Sequence, residues 1–413
     1  MPKIAPFKAT RPAKGLENQV VVNSHLGPTA TQLTAILEQN PFSYYHIFKP
    51  QFHFTQQKET PAKYFSYGKS YFNQLKEQQV FVKDAESCLY VYRIKRSDSK
   101  SYLGVIALSD SHDYSSGVIK KHEKTLLEKE ALLAKHIQLT GLIGEPVLLT
   151  HEPNASLQIL LNQVVQQQEP CCEFLDDQQM LHTLWSIADT SIQNELIALI
   201  AEVDALYIAD GHHRCASMHR FIDEQGLPST SMLSFLVSSD QLSIEPFHRL
   251  VNLNNPFILA DLVACLAADF DIRFVKSIPD SLGAFDFVLV QHEGLYHITP
   301  KKPEVFLQLD AVERLNVSLL ENRILKPCFG IEDSRNASNL NFVAGENSIQ
   351  KALDFVQENP LHIAFILAPL KSENIFEVSD LNWAMPPKST YIEPKLLSGM
   401  VILEFKEVAH NAE

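Results

Sequence analysis

No apolar run in the 413 residues approaches the roughly 18 expected of a membrane span, and the amino terminus, "MPKIAPFKATRP", holds no apolar stretch of signal-peptide length. Nor does any C-x-x-C pair occur. The six cysteines (Cys88, Cys171, Cys172, Cys215, Cys265, Cys328) are mostly far apart. In a chain of this length they read as reduced thiols, neither a disulfide framework nor a zinc site, and the expected compartment is the cytoplasm. Positive charge is also short: 35 Lys and Arg stand against 49 Asp and Glu, a net charge of −14. A nucleic-acid surface needs clustered basic residues, so neither nucleic acid nor membrane is an expected partner. The P-loop pattern G-x-x-x-x-G-K-[ST], the G-x-S-x-G elbow and the G-x-G-x-x-G fingerprint are all missing. The commonest nucleotide and hydrolase routes go with them.

What is present is an ordinary globular composition, 45% hydrophobic and 20% charged, at a length that calls for more than one core. "TATQLTAILEQ" (29–39) reads as a helix closed by Asn40-Pro41. Tyr90 to Leu108 reads as a hairpin around a tip of Ser97, Asp98 and Ser99. Thr125 and Glu128 form a T-x-x-E capping box before "LLEKEALLAKHIQL". There Leu126, Leu133, Ala134 and Ile137 share a face expected to pack on a sheet. Residues 151–170 read as an exposed helix and loop. "DALYIA" (204–209), "SMLSFLVSS", the hairpin "FDFVLVQHEGLYHIT" and "LHIAFILAP" read as strands. Helices and strands alternate without a regular βαβ period, which favours an α+β fold with mixed sheets over a doubly wound one. Two parts are expected: 1–255, holding a phosphate-binding turn, and 256–413, whose MPPKST segment is expected to return to the site.

Three stretches have residue types that suit chemistry. In "YIADGHHRCASM" (207–218) a strand runs through Asp210 and Gly211 into a helix. A helix start offers unpaired N–H groups and the positive end of the dipole to an anion. Gly211 permits close approach, Arg214 can fork onto phosphate oxygens, and His212 or His213 can donate hydrogen bonds or move a proton. The plain alternative is that Asp210 caps the helix and Arg214 is solvated. In "GVIKKHEKTLLEKE" (117–130) His122 and Glu123 precede the helix, where Glu123 can be a general base or magnesium ligand; the alternative is a solvated helix start. In "MPPKSTYIEPKLLSG" (385–399) Lys388 stands beside the hydroxyls of Ser389 and Thr390, a phosphate-holding group or a proline-stiffened surface turn. Glu393 and Lys395 can pair with each other. No metal-ligand spacing is found.

Those three stretches, with "IAPFKATRP" at the start and "FVAG" at 342–345, occur in an order that resembles the bacterial and archaeal family known as domain of unknown function 1015. The "DGHHR" stretch also resembles the phosphate-binding strand-turn-helix of the ParB and sulfiredoxin superfamily, which includes free-serine kinases. That resemblance implies that Gly211, His212, His213 and Arg214 form a nucleotide-phosphate turn. His212 stands where sulfiredoxins carry their catalytic cysteine, so sulfinate repair is not implied. Family relatives carry a Pro-Pro-Tyr-Asp stretch near the start, where this chain reads "VVNSHLGP".

The function these readings imply is a kinase for a small hydroxyl metabolite, free serine by analogy, using ATP, ADP or pyrophosphate with Mg²⁺. In it Asp210, Glu123, His122 and His213 would be catalytic, and Gly211, His212, Arg214, Lys388, Ser389 and Thr390 would bind the donor. The alternative is a nucleotide-binding regulator without turnover. The sequence leaves the oligomeric state open.

Overall fold

A computed structural model describes residues 1–54, 59–97, 100–256 and 258–405. The chain divides into two units. One comprises Met1–Lys120, Lys124–Leu242 and the segment from Pro394 on; the other comprises Lys121–Glu123 and Ser243–Glu393.

The first unit is built on a nine-stranded mixed sheet. Its strands run in the order Ile119–Lys120, Leu206–Asp210, Val147–His151, Thr230–Ser238, Ser101–Asp110, Leu89–Lys95, Leu181–Ile187 and Cys172–Leu175, with Ile4–Ala5 paired to Ser101–Asp110. Leu206–Asp210 is parallel to Ile119–Lys120 but antiparallel to Val147–His151, which is in turn parallel to Thr230–Ser238. The central strands are apolar on both faces: Leu148, Leu149, Phe235, Leu236, Val91 and Val105 are all buried. A sheet covered on both sides has no solvent face to produce alternation, which is why these strands read as continuous apolar runs.

Close approach at the sheet centre depends on Gly104, in register with Val237 on one side and Tyr92 on the other. A Cβ built there would lie 2.1 Å from the Leu236 carbonyl oxygen. Backbone must move to admit any side chain, so Gly104→Ala is expected to lower the unfolding free energy by about 3 kcal/mol. Urea unfolding checks this, and an unchanged midpoint would show that the strands can part without loss.

Several sequence expectations hold here. The helix Ala30–Gln39 is capped by Thr29 and ends at Asn40. The hairpin is Leu89–Lys95 with Ser101–Asp110; of its tip, Asp98 and Ser99 lie outside the described residues. Others do not. The helix Leu127–Thr140 has Leu126 at its N-cap with no side-chain cap, so Thr125 and Glu128 form no capping box. Leu126 is exposed, and the helix packs on the helices Pro61–Glu77 and His212–Glu224. A stripe of apolar side chains does not distinguish a sheet partner from a helical one. The helix expected within 151–170 is present as Ala155–Gln167, capped by Asn154, but it buries Leu157, Leu160, Leu161 and Val164 where an exposed surface was expected.

The second unit carries a six-stranded, wholly antiparallel sheet in the order Phe270–Val275, Gly294–Pro300, Phe287–Gln291, His362–Leu367, His248–Asn252, Leu340–Val343. The helix Ser348–Glu358 packs on it through Ala352 and Val356. A short ladder joins Ser243–Pro246 to Thr390–Glu393. Cys265 and Cys328 form a disulfide across 63 residues. The expectation of reduced thiols throughout is corrected there, because wide spacing in sequence says nothing of distance in the fold. A mixed sheet in the first unit and an antiparallel one in the second, each with packed helices, make the chain α+β, as the sequence implied. Among the described residues no helix is long and apolar enough to cross a membrane.

Candidate functional site

The strand Leu206–Asp210 ends at Asp210, and the helix His212–Glu224 begins two residues later. Gly211 makes the turn in the left-handed region, φ 96°, ψ 32°, and is the N-cap. It brings no side-chain cap, so Asp210 does not cap this helix. The first intrahelical bond runs from the Cys215 N–H to the Gly211 carbonyl, and the N–H groups ahead of that ladder point out of the helix end. A Cβ on residue 211 would stand 3.0 Å from the Arg214 guanidinium carbon, so glycine serves both the turn and the packing of Arg214.

Asp210 and Arg214 meet. Arg214 Nη2 donates to Asp210 Oδ2 at 2.7 Å, and its Nη1 lies 2.8 Å from Glu145 Oε1 and donates to the Pro146 carbonyl. On the other side of Asp210, Lys395 Nζ donates to Oδ1 at 2.6 Å. Glu145 is buried and also receives Ser24 Oγ (3.1 Å), Ser398 Oγ (2.8 Å) and His25 Nε2 (3.2 Å). Two carboxylates and two permanent cations are thus interleaved, with side chains 9–22% exposed. Burial alone would raise the Asp210 pKa; Lys395 first and Arg214 next more than offset it and hold the carboxyl well below its usual range. Burial likewise opposes the Glu145 charge, yet Arg214 and His25 bring this carboxyl down to about 2. Both are ionised at neutral pH.

The two histidines of the turn have different surroundings. His212 is buried. His213 Nε2 accepts the Leu126 N–H at 3.1 Å, which puts its ring proton on Nδ1 and makes the ring a cap for the neighbouring helix. Beside Arg214 lies a cavity of about 60 Å³ with walls of Tyr44, Phe48, Leu133, Ile143 and Met218.

The remaining candidate residues belong to the second unit. His122 is buried, its carbonyl accepts the Met385 N–H at 2.8 Å, and burial lowers its pKa to about 4, so the ring is neutral at pH 7. Glu123 is exposed. Lys388 has φ 56°, and its ammonium stands 5.1 Å from the Phe247 ring centre. Ser389 is buried and donates its hydroxyl to the Pro386 carbonyl, closing the proline turn, and Thr390 begins the short ladder opposite Pro246. The structure therefore brings Asp210, Gly211 and Arg214 together in one unit, and His122 to the MPPKST stretch in the other.

Sequence reasoning missed Glu145, Ser24, His25 and Ser398, and it offered Lys395 only as a partner for Glu393. Glu145 sits in the plain run "IGEPVLL", with no spacing to mark it. Ser24 and His25 did carry a signal, since they occupy "VVNSHLGP", where the chain departs from the pattern of its resemblance.

Among known proteins, residues 4–318 match the family described as "Protein of unknown function (DUF1015)". No curated protein matches the chain. It is similar to solved structures of a free serine kinase in complex with AMP (13% identity, TM-score 0.34, covering 70% of this chain and 88% of that one). Another is SbnI with a C-terminal truncation from Staphylococcus aureus (11%, 0.38, 71% and 87%). A third is a conserved hypothetical protein from Pyrococcus furiosus (12%, 0.33, 70% and 92%).

Proposed function

We propose that this chain, which belongs to the DUF1015 family of proteins of unknown function, is a phosphotransferase that moves a phosphoryl group from a nucleotide or pyrophosphate to a small hydroxyl metabolite. The observation that carries this reading is the start of the helix His212–Glu224, where an uncapped glycine turn follows directly on a strand end that holds Lys395 and Arg214. Phosphoryl transfer requires mainly positioning and charge neutralisation, and a helix start with fixed cations supplies both without a P-loop.

In this reading the N–H groups of His212, His213 and Arg214 receive the donor phosphate, and Lys395 balances its charge. Asp210, fully ionised, orients the acceptor hydroxyl, and Glu145 fixes the Arg214 guanidinium. Mg²⁺, bound mainly through the phosphates, would add charge neutralisation. Among the described residues no group of three or more acidic, histidine or cysteine side chains gathers to hold a metal on its own. Every Asp210 and Glu145 oxygen already has a cationic or hydroxyl partner. Free serine is the first acceptor to try.

The test is phosphorus NMR with Mg²⁺ and ATP, ADP or pyrophosphate, each with a pool of serine and other hydroxyl metabolites. The expected result is a new phosphomonoester signal that is lost in Lys395→Met. A second reading, a nucleotide-binding regulator without turnover, is favoured by Ser24 and His25. These stand against Glu145 in the segment where relatives carry an acid. That reading expects nucleotide to raise the melting temperature by mass action with no new ester. Steady ester formation excludes it.

A further inference from the structure

The cavity beside Arg214 has an unused hydrogen-bond acceptor in its wall. His136, on the helix Leu127–Thr140, lines it, and the ring Nε2 is buried without a hydrogen-bond partner. The other ring nitrogen bonds the Ile47 carbonyl. A carbonyl only accepts, so the proton is on Nδ1 and Nε2 is a bare lone pair. Burial lowers the His136 pKa to about 4, with the Ile47 bond opposing, and the ring is neutral at pH 7. Phe65 packs edge-on against it, with 4.8 Å between ring centres and 84° between planes. With Ile47 and Phe65 against the ring, the side left for a donor is the cavity.

Most buried polar groups are paired, and an acceptor left unpaired weakens a fold. Water is a poor partner here, because a buried water makes about three hydrogen bonds and the other polar groups of the wall are engaged. Arg214 holds Asp210, Glu145 and the Pro146 carbonyl. The Ser217 hydroxyl donates to the His213 carbonyl, and the Tyr44 hydroxyl lies against Gly144. Phe48, Leu133, Ile137, Ile143 and Met218 are apolar. The volume of about 60 Å³ is about twice the roughly 30 Å³ that a water takes up in the liquid, room for about two or three non-hydrogen atoms. The cavity is not sealed, so a longer ligand can extend out of it. A carboxylate or an ammonium would meet no free counter-charge, since Arg214 and Glu145 already pair. An amide would bring a carbonyl that no remaining donor meets. A hydroxyl on a short carbon chain supplies the one donor and fills the apolar space.

We infer that this cavity binds the hydroxyalkyl end of a small metabolite, the hydroxyl donating to His136 Nε2 and the carbons lying among Phe48, Leu133 and Met218. An apolar pocket with one placed polar group is the usual form of a small-molecule site. It borders the helix His212–Glu224 through Arg214, Ser217 and Met218, yet its occupancy requires no phosphoryl transfer.

The test is ¹⁵N NMR of the histidine rings in the full chain at pH 7. The chain is titrated with ethanol, with its isomer dimethyl ether, which has no donor, and with ethylammonium. The His136 Nε2 signal is assigned by its loss in His136→Gln. Ethanol is expected to move this signal saturably toward the hydrogen-bonded position, and the other two to leave it in place. So small a ligand is expected to half-saturate no tighter than about 1 mM. Leu133→Phe, which fills the cavity from a half-buried position, is expected to abolish the response. An Nε2 signal that already reads hydrogen-bonded in plain buffer and ignores ethanol would give the acceptor to a water and overturn the inference. Equal movement with the ether, movement that stays linear in ethanol, or none would overturn it too. The wild-type titrations decide this even if the variant fails to fold. No phosphoryl donor is present, so failure here is distinct from failure of the phosphotransferase reading, which the phosphorus NMR tests.

Discussion

Arg214→Met is expected to destabilise the chain by about 3–5 kcal/mol and, if the phosphotransferase reading holds, to reduce turnover on the order of 10²-fold. The guanidinium is the only contact among the described residues that touches both Asp210 and Glu145. Removing it leaves Glu145, buried and ionised, with two hydroxyls and His25 in place of a permanent cation. Asp210 retains Lys395. Most of the penalty should therefore come from Glu145, and Glu145→Gln in the Arg214→Met background should recover part of it. A double-mutant cycle in urea measures this. Additive losses would show that the two side chains act independently. Arg214→Lys should fall between, since one ammonium cannot fork onto both carboxylates and the Pro146 carbonyl.

Glu145→Gln on its own should show a pH-dependent penalty. At pH 7 the carboxylate is ionised in the folded and unfolded chain alike, and the loss of its charge-assisted bonds is expected to cost about 3 kcal/mol. The folded carboxyl titrates near 2, below its ordinary 4.5. Its contribution is therefore complete above about pH 4.5 and fades as pH falls toward 2, because the unfolded chain takes the proton first. The gap in Tm between wild type and Glu145→Gln should be widest at neutral pH and close across that window. A gap that stays constant from pH 7 to 3 would show that geometry, not charge, ties Glu145 to the fold. Asp210 contributes in the same direction.

How much of this was legible beforehand differs between local and distant features. Asp210, Gly211 and Arg214 are neighbours in sequence, and a strand followed by a glycine and a helix forces them together, so the turn could be read directly. Lys395 reaches Asp210 from 185 residues away, and Glu145 enters from a different strand end. No periodicity encodes such meetings. The apolar runs gave away the strands but not their order, because a sheet buried on both faces has no alternation to fix the register. The pairing of Cys265 with Cys328 has no sequence signal for a related reason: only the fold brings them side by side.

The phosphotransferase reading requires phosphate on the N–H groups at the start of the helix His212–Glu224. The most direct measurement is an amide NMR titration of the full chain labelled with ¹⁵N at its 16 histidines, with Mg²⁺ and ADP added stepwise. The backbone amides of His212 and His213, assigned by their loss in single substitutions, are expected to move first and farthest, and together, and to stay in place in Lys395→Met. Saturable movement of other histidine amides with these two unmoved, or no movement at all at millimolar ADP, would contradict it.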